Sequence, residues 1–402
     1  MALDAAGHRP RNQLRGPSLN RLRYLDWLRG VAIILMIEAH VIDAWTRSAD
    51  RAGWWYYAAV FAGGLAAPAF LFLAGTGVSL AADARVRRGR AIAEAAAELR
   101  RRGAQVFVLG LLFRIQSQVL GFGPLDNLFR VDILNTMGLA MVAAATLWQL
   151  GRARAGRMAL LTAATLAVTV ATPIVWAAPL PALPAALEAY LRPSGGLAQF
   201  PLFPWAGYLL AGAVVGDAVA ATRGRAAGER LPLLLLLGGL VLGPASWWAS
   251  WQPSLYRTAD FWTTSPALLG LRLGIVLVLV GLAWAHCVFW LPSERATAAT
   301  VPGRTLASAG ARVWAPVADG QRRLTEWVEL LGRSSLFVYW VHVELVYGMA
   351  TKVIQGELPL WLSGIGTAVL TAAFVPLVGW KNRRMEGVTL SGPWRVFAPV
   401  LK

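Results

Sequence analysis

The feature that most limits this chain is the recurrence of long apolar runs along its length, among them "LPLLLLLGGLVLG" (231–243) and "LRLGIVLVLVGLAWA" (271–285). Runs of this kind enter lipid as helices, because a helix satisfies its own backbone where no water is available. Of the 402 residues, 57% are hydrophobic and 15% are charged, and the mean hydropathy is +0.52. A soluble domain carries about a quarter charged residues. The class is therefore an all-α, polytopic membrane protein. The first 23 residues are polar and Arg-rich with no apolar core, so no cleavable signal peptide is expected. Cys287 is the single cysteine and lies in an apolar run, which excludes a disulfide framework and a thiolate metal site. The four histidines (His8, His40, His286, His342) are too scattered to make a His-rich metal centre, and no metal is expected.

Hydropathy gives ten spans, at roughly 24–46, 56–82, 104–120, 131–150, 157–178, 200–221, 231–249, 266–290, 328–350 and 359–380. Most have the roughly 17 to 25 residues that a helix needs to cross the hydrocarbon, and the third is the shortest. The net charge of +17 invites a nucleic-acid reading, but in a membrane protein Lys and Arg gather in cytoplasmic loops and orient the helices. With the N-terminus inside, the cytoplasmic segments hold five Arg up to residue 23 and seven between 85 and 102. Three follow at 152–157, three at 223–230, five at 295–323 and five Lys or Arg from 381 onward. The opposite loops hold six: Arg47, Arg51, Arg130, Arg192, Arg257 and Lys352. Both termini are thus expected in the cytoplasm, no nucleic-acid partner is expected, and part of the charge is available to anionic lipid or an anionic cosubstrate.

The organisation expected is a basic tail (1–23), one transmembrane domain (24–380) with a long cytoplasmic loop at 291–327, and a second tail (381–402). The external segment "APLPALPAALEAYLRPSGGLAQFP" (178–201) is rich in Pro and Gly and reads as a loop that covers a site. No internal repeat of fixed period stands out, nor the paired broken helices of a transporter.

The first span, "RYLDWLRGVAIILMIEAHVIDAW", carries beyond its opening Arg23 five ionisable residues, Asp26, Arg29, Glu38, His40 and Asp43, that are costly at membrane depth. Asp26, Arg29, Ile33, Met36, His40 and Asp43 follow steps of three and four and share one face. Arg29 and His40 are eleven residues apart, a rise of about 16 Å. Glu38 lies nearly opposite and addresses another helix. In the bland reading Asp26 and Arg29 form an i,i+3 pair at a helix start, and His40 is a buried histidine bonded to a neighbouring helix. In the functional reading a neutral His40 takes a proton from an attacking hydroxyl or amine. Arg29 then holds a phosphate or carboxylate. That pair suits an acyl donor entering from the cytoplasm and a polar acceptor meeting it deeper in the membrane. Asp43, one turn beyond His40, either fixes its tautomer or sits at the interface.

Five stretches in order, "LDWLRGVAIILMIEAH", "APAFLFLAGTGVSLA" (67–81), "VDILNTMGLAMV" (131–142), "FPLFPWAGYLLAGAVVGD" (200–217) and "LGRSSLFVYWVHVEL" (331–345), resemble the heparan-α-glucosaminide N-acetyltransferase catalytic-domain family in its bacterial form. The Arg–ten–His spacing also resembles the wider superfamily of transmembrane acyltransferases that act on surface glycans. The resemblance implies an integral membrane acyltransferase. Its cosubstrate would be acetyl-CoA or another acyl-CoA on the cytoplasmic side, and its acceptor a sugar or glycan on the far side. It also implies residence in a bacterial cytoplasmic (inner) membrane among membrane lipids, and leaves a homodimer open. By position, His40 becomes the catalytic base or acyl carrier and Arg29 a CoA or structural anchor, with Asp26 in the same motif. One departure stands out: in the lysosomal branch Asn takes the place of His40 and the catalytic His follows slightly later, whereas here no His follows until 286.

Other positions carry paired readings. His342, with Glu344 on another face, either bonds the site of His40 or the acceptor, or is a satisfied interhelical histidine. Asp132 and Asn135 either bind sugar hydroxyls or cap their helix. Arg272 and Arg333, read as near cytoplasmic helix ends, either grip CoA phosphates or snorkel. Gly75 and Gly77 belong to no phosphate loop and suit close helix packing. Ser79 has no histidine beside it in sequence, which leaves a hydrolase reading weak. The alternative to an acyltransferase is a transporter or flippase for a small anion or lipid-linked sugar, with Arg29, Glu38 and His40 as a charge pathway. A third reading is a noncatalytic protein whose polar residues specify helix pairing.

Overall fold

A helix that must live in lipid can approach another closely only where side chains are small, and small residues set the central seam of this molecule. In the computed structural model, residues 22–121, 128–290, 308–386, 388, 392 and 397–401 are described. The larger helices are α1 (Arg23–Trp45), α2 (Trp54–Gly63), α3 (Ala66–Arg87), α4 (Ile92–Gly121), α5 (Ile133–Leu150) and α6 (Arg154–Ala177). After the single turn α7 (Ala185–Glu188) come α8 (Leu202–Thr222), α9 (Ala226–Ala249) and α10 (Pro266–Ala285), which continues as a π-turn. The last are α11 (Ser308–Arg333), α12 (Ser335–Tyr347), α13 (Leu360–Met385) and the single turn α14 (Ala398–Leu401). No strand occurs among the described residues beyond two isolated bridges.

Seven helical stretches among the described residues are long and apolar enough to cross a membrane: α2 with α3, then α5, α6, α8, α9, α10 and α13. This is an all-α, polytopic membrane protein. Three of the ten expected spans stand apart from those seven, each for a visible reason. α1 carries its five ionisable residues, and the first half of α4 holds Glu94, Glu98 and Arg100 to Arg102. The span expected over 328–350 is broken at Ser334, where α11 ends and α12 begins. The expected loop over 291–327 is also revised. Residues 291–307 lie outside the described residues, as does the tail up to residue 21, but Ser308–Arg333 is helical. Its outer face keeps Leu324 and Trp327 exposed while Thr325, Val328, Glu329 and Leu331 are buried. Arg323, Glu326 and Arg333 are also on the exposed side and Val328 and Leu331 on the buried one, so a mean polarity that hides the helix from hydropathy is divided between two faces.

α3 and α8 form the central pair. A Cβ on Gly75 would run into the carbonyl oxygen of Leu209, and one on Gly212 into that of Phe72. Across the same seam the Thr76 hydroxyl donates to the carbonyl of Gly212 (3.0 Å) and Ser79 to that of Ala213 (2.7 Å). α1 crosses α11 in the same way, with Gly30 against Val328 and Gly332 against the Asp26 carbonyl. The C-terminal half of α1 runs beside α12, where Trp45 Nε1 donates to Val346 O at 3.1 Å. α12 has 13 residues, too few to span, so its side chains meet α1 part-way through the bundle.

Candidate active site

The two ends of α1 border two different cavities. Near its N-terminus Arg29 donates to the buried Asp26 at 3.0 Å. Arg29 also lines a cavity of about 600 Å³ together with Gly77, Arg85, Glu98, Arg101, Arg102 and Gln105. Four guanidinium groups against one carboxylate make this wall strongly cationic. Glu98 is itself held by Arg85 at 2.6 Å, and that bond keeps its carboxyl below the usual carboxylate range. Gly77 does not pack on a neighbouring helix as its partner Gly75 does. A Cβ there would meet only the Arg29 guanidinium, at 3.4 Å. Ser79 is committed to the α8 backbone.

Three turns further along α1, His40 lines a cavity of about 970 Å³. Its wall includes Asp43, Tyr56, Arg114, Gln118, Arg130 and Asp132, with Trp205, Trp262, Arg272, Tyr339 and Tyr347. The loop at 178–201 supplies Gln199 and Phe200 to the same wall. It is tied down by Val131 N donating to Leu197 O at 2.7 Å and by Glu188, which accepts from Arg192 and Ser194. Those donors hold the Glu188 carboxyl below the usual carboxylate range.

His40 Nδ1 stands 2.7 Å from His342 Nε2, and His342 Nδ1 stands 2.8 Å from the carbonyl oxygen of Val338, one turn earlier on α12. The two rings are 11° from parallel with centroids 5.0 Å apart. Once the N···N distance is subtracted, that separation leaves only the two centre-to-nitrogen radii. The imidazoles therefore meet edge to edge in one plane, along the hydrogen bond, and do not lie face on face. Tyr347 presents its edge to His40 at 5.6 Å and donates its hydroxyl to Asp43 at 2.7 Å. Asp43 is thus engaged by Tyr347, and the group at His40 Nδ1 is His342.

The remaining candidates fall on both sides of the wall. Asp132 lines it, but its oxygens accept from Arg114 (2.9 Å), the Tyr339 hydroxyl (2.7 Å) and the Leu134 amide (3.0 Å). Asn135 closes the capping box with Asp132 and donates to Phe107 O at 3.0 Å; its side chain is spent on holding α5 against α4. Glu38 faces α2, where one carboxylate oxygen would stand 2.8 Å from a Cβ on Gly63 and has no hydrogen-bond partner in the structure. Arg272 stands in the second turn of α10 on the wall of the His40 cavity, not near the far end of its helix. The reason is that Ser265 caps the helix with Pro266 following, which puts Arg272 close to the N-terminus. Arg333 pairs with Glu329 at 3.0 Å, as does Arg23, and borders neither cavity. Sequence reasoning passed over Arg85, Arg101 and Arg102 as cavity residues. It also missed Arg114, Tyr339 and Tyr347, although Arg114 carried the signal of a charge within a span.

The walls approach each other on α3. Phe70 borders the His40 cavity and Ala74 the Arg29 cavity, one helical turn or about 6 Å apart.

The family model described as heparan-alpha-glucosaminide N-acetyltransferase, catalytic, matches residues 21–242. A search of curated proteins gave no match.

Proposed function

The chain belongs to the heparan-α-glucosaminide N-acetyltransferase catalytic-domain family, a membrane acetyltransferase type, and from that premise we propose that it moves an acetyl group from acetyl-CoA to a sugar hydroxyl or amine across the bilayer. The observation that carries this reading is the pair of cavities ending one turn apart on α3. A reaction between a phosphate-bearing donor and a polar acceptor on opposite sides needs two such chambers and a thin partition.

The positive-inside bias sets the Arg29 cavity toward the cytoplasm. Arg85, Arg101 and Arg102, with Arg29, suit the phosphates of CoA, since guanidinium groups bind phosphate in paired, charge-assisted hydrogen bonds. The acyl end then extends along the small residues of α3 (Ala81, Gly77, Ala74) toward His40. The acceptor occupies the wider chamber, with Trp205, Trp262 and Tyr56 as apolar faces for a sugar ring and Arg272, Arg130 and Gln118 as polar partners. His40 takes the proton from the acceptor as it attacks the thioester carbonyl, a role worth roughly 10² to 10⁴ in rate. The membrane is the bacterial cytoplasmic one in this reading.

The test is CoA release by purified protein in nanodiscs, given acetyl-CoA and a panel of amino sugars and glycans, beside His40→Ala. Release that needs an acceptor and falls at least 100-fold in a folded His40→Ala protein supports the transferase. Release unchanged by that substitution removes His40 from the chemistry, and no release with any donor removes the transferase.

A further inference from the structure

Every hydrogen bond in the chain Val338–His342–His40 has one possible polarity once its end is considered. A carbonyl oxygen only accepts, so the His342 nitrogen 2.8 Å from Val338 O carries a proton on Nδ1. A neutral His342 then presents a bare lone pair at Nε2. The nitrogen 2.7 Å away, His40 Nδ1, must donate into it. With its proton on Nδ1, a neutral His40 holds its free lone pair at Nε2, the ring nitrogen that His342 does not engage, on a residue that lines the cavity.

The opposite polarity would need a second proton on His342. That side chain is fully buried, and an imidazolium there would need a carboxylate beside it. The charged and titratable groups around the pair are otherwise occupied. Asp43 on α1 accepts from Tyr347, and Asp132 on α5 accepts from Tyr339 and pairs with Arg114 of α4. Tyr339 and Tyr347 of α12 face the rings with edges.

We propose that His342 is a positioning residue: it locks His40 in the Nδ1–H form and thereby turns the basic Nε2 toward the acceptor. This deepens the acetyltransferase reading and rests on it. In the transfer, the acceptor oxygen or nitrogen bonds to the thioester carbonyl carbon while its proton passes to His40 Nε2. The C–S bond then breaks, and the CoA thiolate takes that proton from Nε2, which restores neutral His40. Throughout, the Nδ1–H of His40 stays on His342, so the positive charge that appears on His40 is shared along the bond. A histidine without that partner favours its proton on Nε2, which would aim an N–H, not a lone pair, at the acceptor. The device parallels a second residue fixing a catalytic histidine's tautomer, here done by an imidazole and a helix carbonyl in place of a carboxylate.

The experiment is nitrogen NMR of the full chain in nanodiscs with ¹⁵N-labelled histidine, the His40 signals being assigned by their loss in His40→Asn. With four histidines in the chain, the spectrum is simple. The expected wild-type result is a protonated Nδ1 and a bare Nε2 on His40. His342→Phe is expected to move that proton to Nε2 and to lower kcat about 100-fold, with the KM for acetyl-CoA changed less than about twofold. His342→Gln, whose amide oxygen can accept from Nδ1–H, is expected to restore at least about tenfold of that loss. A wild-type His40 protonated on Nε2 overturns the proposal, and so does a folded His342→Phe protein that keeps both tautomer and kcat. The spectrum reads the tautomer whether or not acetyl transfer is observed, so failure of the tautomer and failure of the transferase are told apart. Should His342→Phe not fold, the wild-type spectrum and His342→Gln decide.

Discussion

The two cavities share α1 and α3 yet differ in kind. The one at Arg29 has four arginines and a single carboxylate on a wall of small residues. The one at His40 is larger, and both of its carboxylates are engaged, Asp132 by Arg114 and Asp43 by the Tyr347 hydroxyl. A wall with unspent positive charge recognises an anion by attraction. A wall whose carboxylates are engaged presents shape, aromatic faces, the guanidinium groups of Arg130 and Arg272, and one basic nitrogen. The same helix separates the two tasks by its faces. Gly75 turns to α8, where backbone meets backbone, while Gly77, two residues on, opens to Arg29. The largest effect is expected from confusing those faces. Gly75→Val meets the Leu209 carbonyl with no side chain able to move aside, and this protein is expected not to fold, as read by size exclusion and thermal unfolding. Gly77→Ala removes a helix-interior glycine, a gain of up to about 1 kcal/mol. It is expected to fold normally and to raise the KM for acetyl-CoA several-fold.

The next largest effect tests the charge difference itself. Arg101→Gln with Arg102→Gln removes two of the four cations. At roughly 1.5–3 kcal/mol for each hydrogen bond to a charged group, discounted because the wall is open to water, the KM for acetyl-CoA is expected to rise roughly 30- to 100-fold. The kcat is expected to stay within about threefold, and the remaining affinity to depend less on ionic strength than that of the parent. An equal fall in kcat with KM unchanged would put those arginines at the chemistry and erase the distinction between the chambers.

How much of this could be read from the chain follows from distance along it. The stripe from Asp26 to Asp43 was legible because helical period and costly residues coincide within one element. The partner of His40 was not, since 302 residues separate it from His342 and no local period connects them. The break at Ser334 hides inside continuous hydropathy, two residues after Gly332 crosses the Asp26 carbonyl, a tertiary contact that no local pattern announces. α11 was missed for the opposite reason, because its polar average conceals an amphipathic period. Arg272 is different. "SP" at 265–266 is a readable helix start, and using it would have put the arginine at the correct end of α10.

A smaller effect is expected at the edge of the His40 chamber. Tyr347→Phe deletes the hydroxyl that occupies Asp43 while keeping the ring against His40. Asp43 is exposed, so water replaces the lost donor and little stability is at stake. The carboxylate is released toward the acceptor, and kcat/KM for the acceptor is expected to fall about three- to tenfold with the KM for acetyl-CoA unchanged. An unchanged acceptor constant would show that the Asp43–Tyr347 pair is outside the acceptor's reach.

The smallest expected effect concerns the loop that closes the same chamber. Glu188 accepts from Arg192 and Ser194, which depress its pKa in the folded protein. Arg192 in turn donates to the carbonyls of Trp176 and Ala178, so the carboxylate orients the guanidinium that ties the loop to the end of α6. A group whose folded pKa lies below its unfolded value stabilises the fold above the unfolded value and loses that contribution as pH falls through the folded one. The loop's hold is therefore complete at neutral pH and is lost only under acid, as Glu188 takes up a proton below the usual carboxylate range. Glu188→Gln should bring the acid behaviour to neutral pH: faster proteolysis or hydrogen exchange over 185–200, with the bundle unchanged. Because Gln199 and Phe200 line the chamber, the acceptor's KM is expected to rise about twofold and that of acetyl-CoA to stay put. A matching rise for both substrates would mean that loop and donor chamber are coupled, and that the thin partition on α3 transmits more than an acyl group.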